Sequence, residues 1–282
     1  MDAVFQDKFI NLDCGRIHYL QAGETGSPVI FLHGGGIDCA AFTWQKIIGP
    51  ASNHHRIYAP DLPGYGESDA PDIQYTMPYY SSFLTGLMDV LGLPRVSLVG
   101  LSLGGGIALS FASQHPNRVE RLVLADSYGL QPRVKFHLIS ALTVKLPLVL
   151  EFFSSYQYSS KGRVRWLLER LFCNKYIVTD ELVDQVFRLA HRPGAGKAFR
   201  SFQRDEVQWN GLRSNFAGRL TENSPRTLII HGACDNLVPL KYAQQAIKYL
   251  PNIALQVIPN CGHISPLDAP EEFNRCVIEF LI

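Results

Sequence analysis

The sequence has almost no excess of charge of either sign. Its 282 residues include 26 lysines and arginines against 25 aspartates and glutamates, a net charge of +1 at pH 7. Charged residues make up only 18% of the chain, and they form no basic stripe. Because nucleic-acid binding depends on clustered positive charge, this balance argues against a nucleic-acid partner.

Paired cysteines are also missing. The six cysteines are scattered and include no Cys-x-x-Cys pair; they stand at positions 14, 39, 173, 234, 261 and 276. This spacing argues against a disulfide framework or a zinc site and fits a reducing compartment. We therefore expect a cytoplasmic protein.

Long hydrophobic runs are absent as well. The longest apolar stretch, residues 139–153, is broken by Lys145, Pro147 and Glu151. It is shorter than the ~20 apolar residues that cross a bilayer. The first residues lack the charged-then-apolar pattern of a signal peptide. The sequence thus predicts no membrane span, while 46% hydrophobic residues suffice for one large core or a core plus a lid.

Short apolar runs alternate with helical patterns along most of the chain. Two N-terminal runs, residues 9–12 and 16–20, predict an antiparallel pair at a sheet edge. Further strands are predicted at 28–32, 56–60, 95–99, 121–125, 226–230 and 253–258, with helical patterns such as 78–91 and 240–250 between them. Alternating strands and helices predict a parallel sheet with helices on both faces.

One long interval departs from this alternation. Residues 131–217 show helical periodicity and no convincing strand. We interpret them as a helical cap domain inserted into a core domain of residues 1–130 and 218–282. Apolar cap side chains are expected to line a substrate pocket, although any single one is as well explained by packing against the core.

The chemistry is most clearly indicated at residues 100–104, which read Gly-Leu-Ser-Leu-Gly. The motif lies between a predicted strand and a predicted helix, the context of a nucleophile elbow. Such a turn holds Ser102 in a strained conformation, and glycines at 100 and 104 avoid clashes with it. Ser102 is therefore the candidate nucleophile, and the N–H of Leu103 is a candidate oxyanion-hole donor.

Two later loops supply candidates for an acid and a base. Asp235 follows the strand 226–230, and His263 follows the strand 253–258. His263 can accept the serine proton near neutral pH, and Asp235 can hold the imidazole in the required tautomer. Asp126, at the end of the strand 121–125, is the rival acid.

A glycine-rich loop follows the strand 28–32 and reads His33-Gly-Gly-Gly36. Such a loop supplies a second oxyanion-hole N–H. We predict Gly35 as the donor, with Gly34 and Gly36 as alternatives, and expect His33 to hold the loop. The run lacks the spacing and the lysine of a phosphate-binding loop.

The chain order Ser102, Asp235, His263 resembles that of the α/β-hydrolase-fold superfamily, and the resemblance covers nearly the whole chain. It implies an α/β-hydrolase fold: a mostly parallel eight-stranded sheet, helices on both faces and an inserted helical cap. It implies no metal and no organic cofactor. Residues 261–263 and 272–281 are most similar to the meta-cleavage product hydrolases, which cut carbon–carbon bonds in ring-fission products.

Two positions depart from that subgroup, which usually has Asn before the nucleophile and Trp after the histidine. Leu101 and Ile264 stand there instead. We therefore expect a serine esterase acting on small to medium apolar substrates, with carbon–carbon hydrolysis of ring-fission dienoates as the alternative. A cofactor-free haloperoxidase or dioxygenase stays open, and the complete set of three residues argues against a non-catalytic receptor.

The resemblance also implies residues that meet the substrate. Ile264 and Arg200 are the predicted substrate-binding residues, and Arg204 and Trp209 lie in the same part of the cap; a basic surface helix explains the arginines equally well. The expected partner is a small-molecule substrate, and a homo-oligomer stays open.

Overall fold

Runs of β-branched and other apolar residues form one mixed sheet. The computed structural model describes residues 5–216, 218–219, 224–248 and 252–282. The described residues form ten strands: β1 Gln6–Leu12, β2 Gly15–Ala22, β3 Pro28–Leu32, β4 Arg56–Pro60, β5 Val96–Leu101, β6 Val119–Ala125, β7 Val207–Gln208, β8 Gly211–Leu212, β9 Arg226–Gly232 and β10 Ile253–Ile258. Eight of them make the main sheet, in the order β1-β2-β4-β3-β5-β6-β9-β10.

The sheet has the predicted mixture of directions. β1 pairs antiparallel with β2, and β2 pairs antiparallel with β4. All later neighbours run parallel, from β4 and β3 through to β10. The bounds predicted for β3, β4 and β10 agree with the structure, whereas β5 continues two residues further than expected, to Leu101.

Helices cover both faces of this sheet. The described helices are α1 Ala40–Thr43, α2 Ile48–Ser52, α3 Met77–Val90, α4 Leu103–Gln114, α5 His137–Lys145, α6 Pro147–Gln157, α7 Lys161–Leu171, α8 Asp180–Ala190, α9 Lys197–Glu206, α10 Lys241–Ala246, α11 Ser265–Asp268 and α12 Pro270–Leu281, with short 3-10 turns at Pro116–Arg118 and Lys175–Ile177. The helix predicted over 78–91 is α3. The end of the helix predicted over 240–250 falls on residues outside the described set.

Side chains of β3 alternate between two hydrophobic layers, as the pleat of a strand requires. Ile30 and Leu32 point into a layer formed with α3 and α4. Val29 and Phe31 point into the opposite layer, with α1, α2 and α12. Both faces of the central strands are therefore buried, which explains why their sequences are nearly continuous apolar runs.

The interval predicted as a cap contains α5 to α9 among its described residues. It also contains the two-stranded ribbon β7–β8, which the sequence did not predict because two-residue strands leave no periodic pattern. The predicted cap end at residue 217 lies outside the described residues, so the domain limits stay a prediction. Within the described chain, no single helix has the length and apolarity to cross a bilayer. The helices α5 and α6 taken together have that length and apolarity, but they meet at a bend of 107°.

Candidate active site

Ser102 lies at the sharp turn between β5 and α4. Its backbone has φ +48° and ψ −113°, a region that non-glycine residues rarely occupy. The Ser102 N–H donates to the Ala125 carbonyl at 2.9 Å, and the Ser102 carbonyl accepts from the Tyr128 N–H at 3.0 Å. Contacts to the end of β6 and the loop after it thus hold the strained turn in place.

The two glycines of the motif are required by close backbone contacts. A Cβ atom on Gly100 would lie 2.4 Å from the Gly104 carbonyl oxygen. A Cβ atom on Gly104 would lie 2.1 Å from the Leu32 carbonyl oxygen. Neither position has room for a side chain, so the spacing of the motif follows from the packing of α4 against β3 and β5.

The structure brings Asp235 and His263 together at the ends of β9 and β10. Asp235 Oδ2 lies 2.8 Å from His263 Nδ1, and Asp235 Oδ1 accepts the N–H groups of Leu237 and Val238 at 2.8 and 2.9 Å. Because a carboxylate oxygen accepts a hydrogen bond, His263 Nδ1 carries the proton and donates to Asp235, and Nε2 keeps its lone pair. The loop also meets the cap, since the His263 N–H donates to the Leu171 carbonyl at 2.7 Å.

The pKa values of this pair are shifted in the direction that the hydrogen bond requires. Burial alone would raise the pKa of Asp235, but the hydrogen bond and charge of His263 outweigh it and the pKa is lowered. Burial alone would lower the pKa of His263, but the hydrogen bond and charge of Asp235 raise it above the ordinary value. The charge of Asp126 raises it further.

Asp126, the rival acid, is fully buried beside this pair but binds backbone groups. One carboxylate oxygen accepts the Gly232 N–H at 2.8 Å, and the other accepts the Ser265 N–H at 3.1 Å. Burial raises the pKa of Asp126 to about 6, against the lowering effect of His231 and His263. Asp126 therefore holds the loops that carry Asp235 and His263, and it acts on His263 through charge.

His231 is a further member of this group that the sequence did not single out. Its Nε2 atom lies 2.9 Å from the Val238 carbonyl oxygen and 3.5 Å from Asp235 Oδ2. Atoms of Asp126, His231 and Asp235 lie within 4.8 Å of one another, a spacing that suits a metal ion. A metal there would compete with the hydrogen bonds that already engage both carboxylates. The sequence could have indicated His231 as a neighbour of Asp235, because it lies at the carboxyl end of β9.

The glycine-rich loop after β3 is fixed by His33. The Leu62 N–H donates to His33 Nε2 at 3.0 Å, so Nδ1 carries the proton and donates to the Gly34 carbonyl at 2.8 Å. The Gly34 N–H donates to Asp38 at 2.7 Å. Gly34 is thereby engaged, whereas the Gly35 N–H has no hydrogen-bond partner among the described residues.

Gly35 also lies beside the other predicted donor. A Cβ atom on Gly35 would lie 3.4 Å from the Leu103 Cβ atom, and one on Gly34 would lie 3.7 Å from the Ser102 Cβ atom. Leu103 is the first residue of α4, where the N–H has no partner within the helix. The two N–H groups predicted as oxyanion donors therefore stand next to the nucleophile.

Asp38 is a loop residue that the sequence analysis missed. Besides the Gly34 N–H, it accepts the Cys39 N–H at 2.7 Å and the Thr43 hydroxyl at 2.6 Å. Burial raises the pKa of Asp38, against the charge of His33 and these hydrogen bonds. The carboxyl group sets the course of the loop and so the position of Gly35.

A cavity of about 390 Å³ opens onto Ser102 and Leu103 between the core and the cap. Its apolar wall includes Val144, Leu150, Phe199, Phe202, Leu237 and Val238, and its polar lining includes Tyr128, Gln131, Lys135, Ser140, Thr143, Gln203, Glu206 and Asn236. A larger depression, about 750 Å³, lies between α8 and α12 and does not reach Ser102.

Two polar groups of this lining are buried. Glu206 accepts the N–H and the hydroxyl of Ser214, and burial raises its pKa. The Oε1 atom of Gln131 has no hydrogen-bond partner among the described residues. Both therefore offer acceptors to a bound molecule.

The residues predicted to bind substrate are placed elsewhere. The Arg200 guanidinium lies 3.3 Å from the Ser154 hydroxyl and 3.5 Å from the Ala195 carbonyl, and Arg200 does not line the cavity. Ile264 is buried in the layer that contains α12, and Leu101 is buried in the same layer. Arg204 and Trp209 are exposed.

Lys135, which the sequence did not indicate as a candidate, is the cation that lines the cavity among the described residues.

Comparisons with known proteins agree with this geometry. Residues 27–270 match the family described as alpha/beta hydrolase fold. The 2-hydroxy-6-oxo-2,4-heptadienoate hydrolase of Pseudomonas putida is 30% identical over 96% of this chain and 98% of its own length. A 2-hydroxymuconate semialdehyde hydrolase from a Pseudomonas species is 31% identical over 93% of this chain and 89% of its own. A crystallised meta-cleavage product hydrolase of Pseudomonas fluorescens is 28% identical, with a TM-score of 0.81 over 97% of this chain and 96% of its own.

Proposed function

The chain belongs to the alpha/beta hydrolase fold family and is a hydrolase, as its sequence predicted, and we propose that it cleaves a carbon–carbon bond in a 2-hydroxy-6-oxo-dienoate. One observation carries the proposal. Relatives named as hydrolases of such compounds are 30% and 31% identical and cover 96% and 93% of the chain. The alternative drawn from the sequence thus becomes the main hypothesis, in place of ester hydrolysis.

The positions of Leu101 and Ile264 weaken the expectation of an esterase, which depended on these two residues. Both side chains are buried in a hydrophobic layer and do not line the cavity beside Ser102. Polar groups for a dienoate come from other positions, among them Gln131, Lys135 and Asn236. The two departures from the subgroup therefore do not leave the cavity without polar contacts.

The proposed substrate has two ends with different needs. Its carboxylate requires a cation, and Lys135 supplies one in the lining of the cavity. Its ketone must reach Ser102 and the N–H groups of Gly35 and Leu103. A cavity of about 390 Å³ fits a small acid of this length. We therefore place the carboxylate toward Lys135 and the ketone carbon at Ser102.

The first step forms a covalent bond. His263 Nε2 takes the proton of the Ser102 hydroxyl as its oxygen attacks the ketone carbon. The ketone oxygen becomes negative, and the N–H groups of Gly35 and Leu103 stabilise it. Asp235 stabilises the imidazolium through its 2.8 Å contact with His263 Nδ1.

The second step breaks the carbon–carbon bond next to the ketone. Its electron pair must leave on C5. The proton of the 2-hydroxyl group must therefore have moved to C5 before the attack, which turns the dienol into its keto form, so that the new C2 carbonyl takes up the charge by conjugation. His263 returns its proton to the departing fragment, and the acyl group stays on Ser102. Water then attacks this ester with the same base. Substrate and one water give a carboxylic acid and a shortened hydroxydienoate.

Ester hydrolysis is the second candidate, and Glu206 favours it. This buried carboxyl group lines the cavity and, when ionised, repels an anionic substrate. A neutral ester meets no such repulsion. The raised pKa of Glu206 reduces the objection, because the group takes up a proton more readily than an exposed glutamate.

Two substrates measured side by side decide between these candidates. We expect kcat/KM for 2-hydroxy-6-oxohepta-2,4-dienoate to exceed that for p-nitrophenyl butyrate at one pH, with Ser102→Ala as the background control. If kcat/KM is instead tenfold higher for the ester, a difference of about 1.4 kcal/mol in transition-state free energy, the protein is an esterase.

A further inference from the structure

The first two cap helices expose an unusual number of large apolar side chains. We call this set the cap face; it consists of Phe136, Leu138, Ile139, Leu142, Leu146, Leu148, Val149, Phe152, Phe153 and Tyr156. Leu148 is 82% exposed and Phe152 is 63% exposed. Single exposed hydrophobic residues are normal, but a contiguous set marks a binding surface.

Helical spacing puts the α6 members of the cap face on one side. Leu148, Phe152 and Tyr156 are separated by four residues each, as are Val149 and Phe153. The rings of Phe152 and Tyr156 stack, with centroids 5.9 Å apart. The opposite side of α6 carries the buried Leu150, so α6 is amphipathic with its broader apolar side in solvent.

The segment that carries the cap face is rich in positive charge, and the Arg163 guanidinium lies over the Tyr156 ring, 3.8 Å from its centroid. Residues 131–165 contain six lysines and arginines and one acid, Glu151, although the whole chain carries only +1. Lys161 and Arg165 form ion pairs with Asp184 and Asp180. The other four cations, Arg133, Lys135, Lys145 and Arg163, have no ion-pair partner among the described residues.

The path of the chain fits a surface and not a span. α5 and α6 meet at Leu146 with a bend of 107°, so the pair cannot cross a bilayer as one rod. Two short helices with apolar sides and basic flanks have the composition of segments that lie in the interface of anionic membranes. Tyr156 and the exposed Trp166 are of the types that favour this interface.

We propose that the cap face docks on the surface of a bilayer that contains anionic lipids. A second copy of the chain is a poorer occupant. In a symmetric contact each face meets its own copy, which would bring two sets of four unpaired cations together. Anionic headgroups neutralise the same charges while the acyl region takes the apolar side chains.

Docking there has a consequence for the cavity. Ile139, Thr143 and Leu150, which belong to the same two helices, line the cavity that holds Ser102. A docked cap would therefore place the cavity directly behind the lipid surface. Docking is measured as binding to vesicles and not as activity. Its outcome is therefore independent of the outcome for the proposed reaction.

The test is flotation of the intact protein with vesicles. We expect binding to vesicles of phosphatidylcholine mixed with phosphatidylglycerol, weaker binding to phosphatidylcholine alone, and release by salt. Leu148→Ser/Phe152→Ser should weaken binding on the order of tenfold or more. Ile73→Ser/Val90→Ser removes two exposed apolar side chains elsewhere and should bind as the wild type does. Arg133→Glu/Lys145→Glu should lose the preference for the anionic vesicles.

Three results would overturn the proposal. The wild type fails to float with either vesicle, which needs no variant to interpret. The Leu148→Ser/Phe152→Ser protein floats as well as the wild type. Sedimentation shows a dimer that this variant dissociates, which would assign the cap face to a second copy. Circular dichroism of each variant checks that the fold is retained, as expected for exposed positions.

Discussion

The Oδ2 atom of Asp235 lies 2.8 Å from the Nδ1 atom of His263, whereas both carboxylate oxygens of Asp126 accept backbone N–H groups. Two acids thus share one end of the sheet with different tasks. One orients the imidazole, and the other joins the loops after β9 and β10. Because both influence the charge on His263, activity and stability measurements separate them better than activity alone.

Asp235→Asn should lower kcat by roughly 10³–10⁴-fold with little loss of stability, because the amide leaves the imidazole in the wrong tautomer. Asp126→Asn should show the reverse. An amide keeps one acceptor and presents an NH₂ group to the second backbone N–H, which costs about 1–3 kcal/mol of stability. Steady-state kinetics and urea unfolding of both variants measure this. A larger kcat loss for Asp126→Asn would assign the acid to the end of β6.

The pH dependence follows from the raised pKa of His263. The base must be neutral, so kcat/KM should fall as pH drops, with an apparent pKa above the ordinary value of 6.5. Asp126→Asn removes a negative charge beside His263, lowers its pKa and should move this acid limb to lower pH. A pH profile of kcat/KM for both proteins checks the shift; an acid limb below pH 6.5 in the wild type would contradict it.

Ser102 should be the residue that a fluorophosphonate probe modifies. Its positive φ and its place between β5 and α4 expose the hydroxyl to the cavity, and the sequence contains one Gly-x-Ser-x-Gly motif, at residues 100–104. Ser102→Ala should keep the fold and lower kcat on the order of 10⁴-fold or more. Mass spectrometry of the labelled protein locates the adduct. An adduct on another residue of the folded protein would show that Ser102 is not the nucleophile.

The parts of the site that the sequence predicted are those set by local geometry. The turn at Ser102 needs glycines at fixed spacing, because a Cβ atom at position 100 or 104 would clash with a backbone carbonyl oxygen. Asp235 and His263 follow buried strands directly, and parallel strands bring their carboxyl ends to one edge. A reader of the sequence can therefore place all three residues without knowing how the helices pack.

The cap residues could not be placed in the same way. Periodicity shows that α9 is amphipathic but not which side faces the cavity. The side of α9 that lines the cavity carries Phe199, Phe202 and Gln203. Arg200 is one residue after Phe199, so its side chain is turned by about 100° around the helix and points toward α6. Glu206 and Lys135 reach the cavity only because of how the cap lies on the core, and that arrangement leaves no local pattern.

Two cations of the cap, Lys135 and Arg200, should differ in their effect on substrate binding. If Lys135 meets the substrate carboxylate, Lys135→Met should raise KM for the dienoate by about threefold to tenfold, the modest effect of a cation that is partly solvated. Arg200→Met should change KM by less than about twofold, because the guanidinium is turned toward Ser154 and away from the cavity. The KM of a neutral p-nitrophenyl ester should move in neither variant, which separates a lost charge from a distorted cavity. The opposite ranking would mean that Arg200 leaves Ser154 and turns into the cavity when the anion binds.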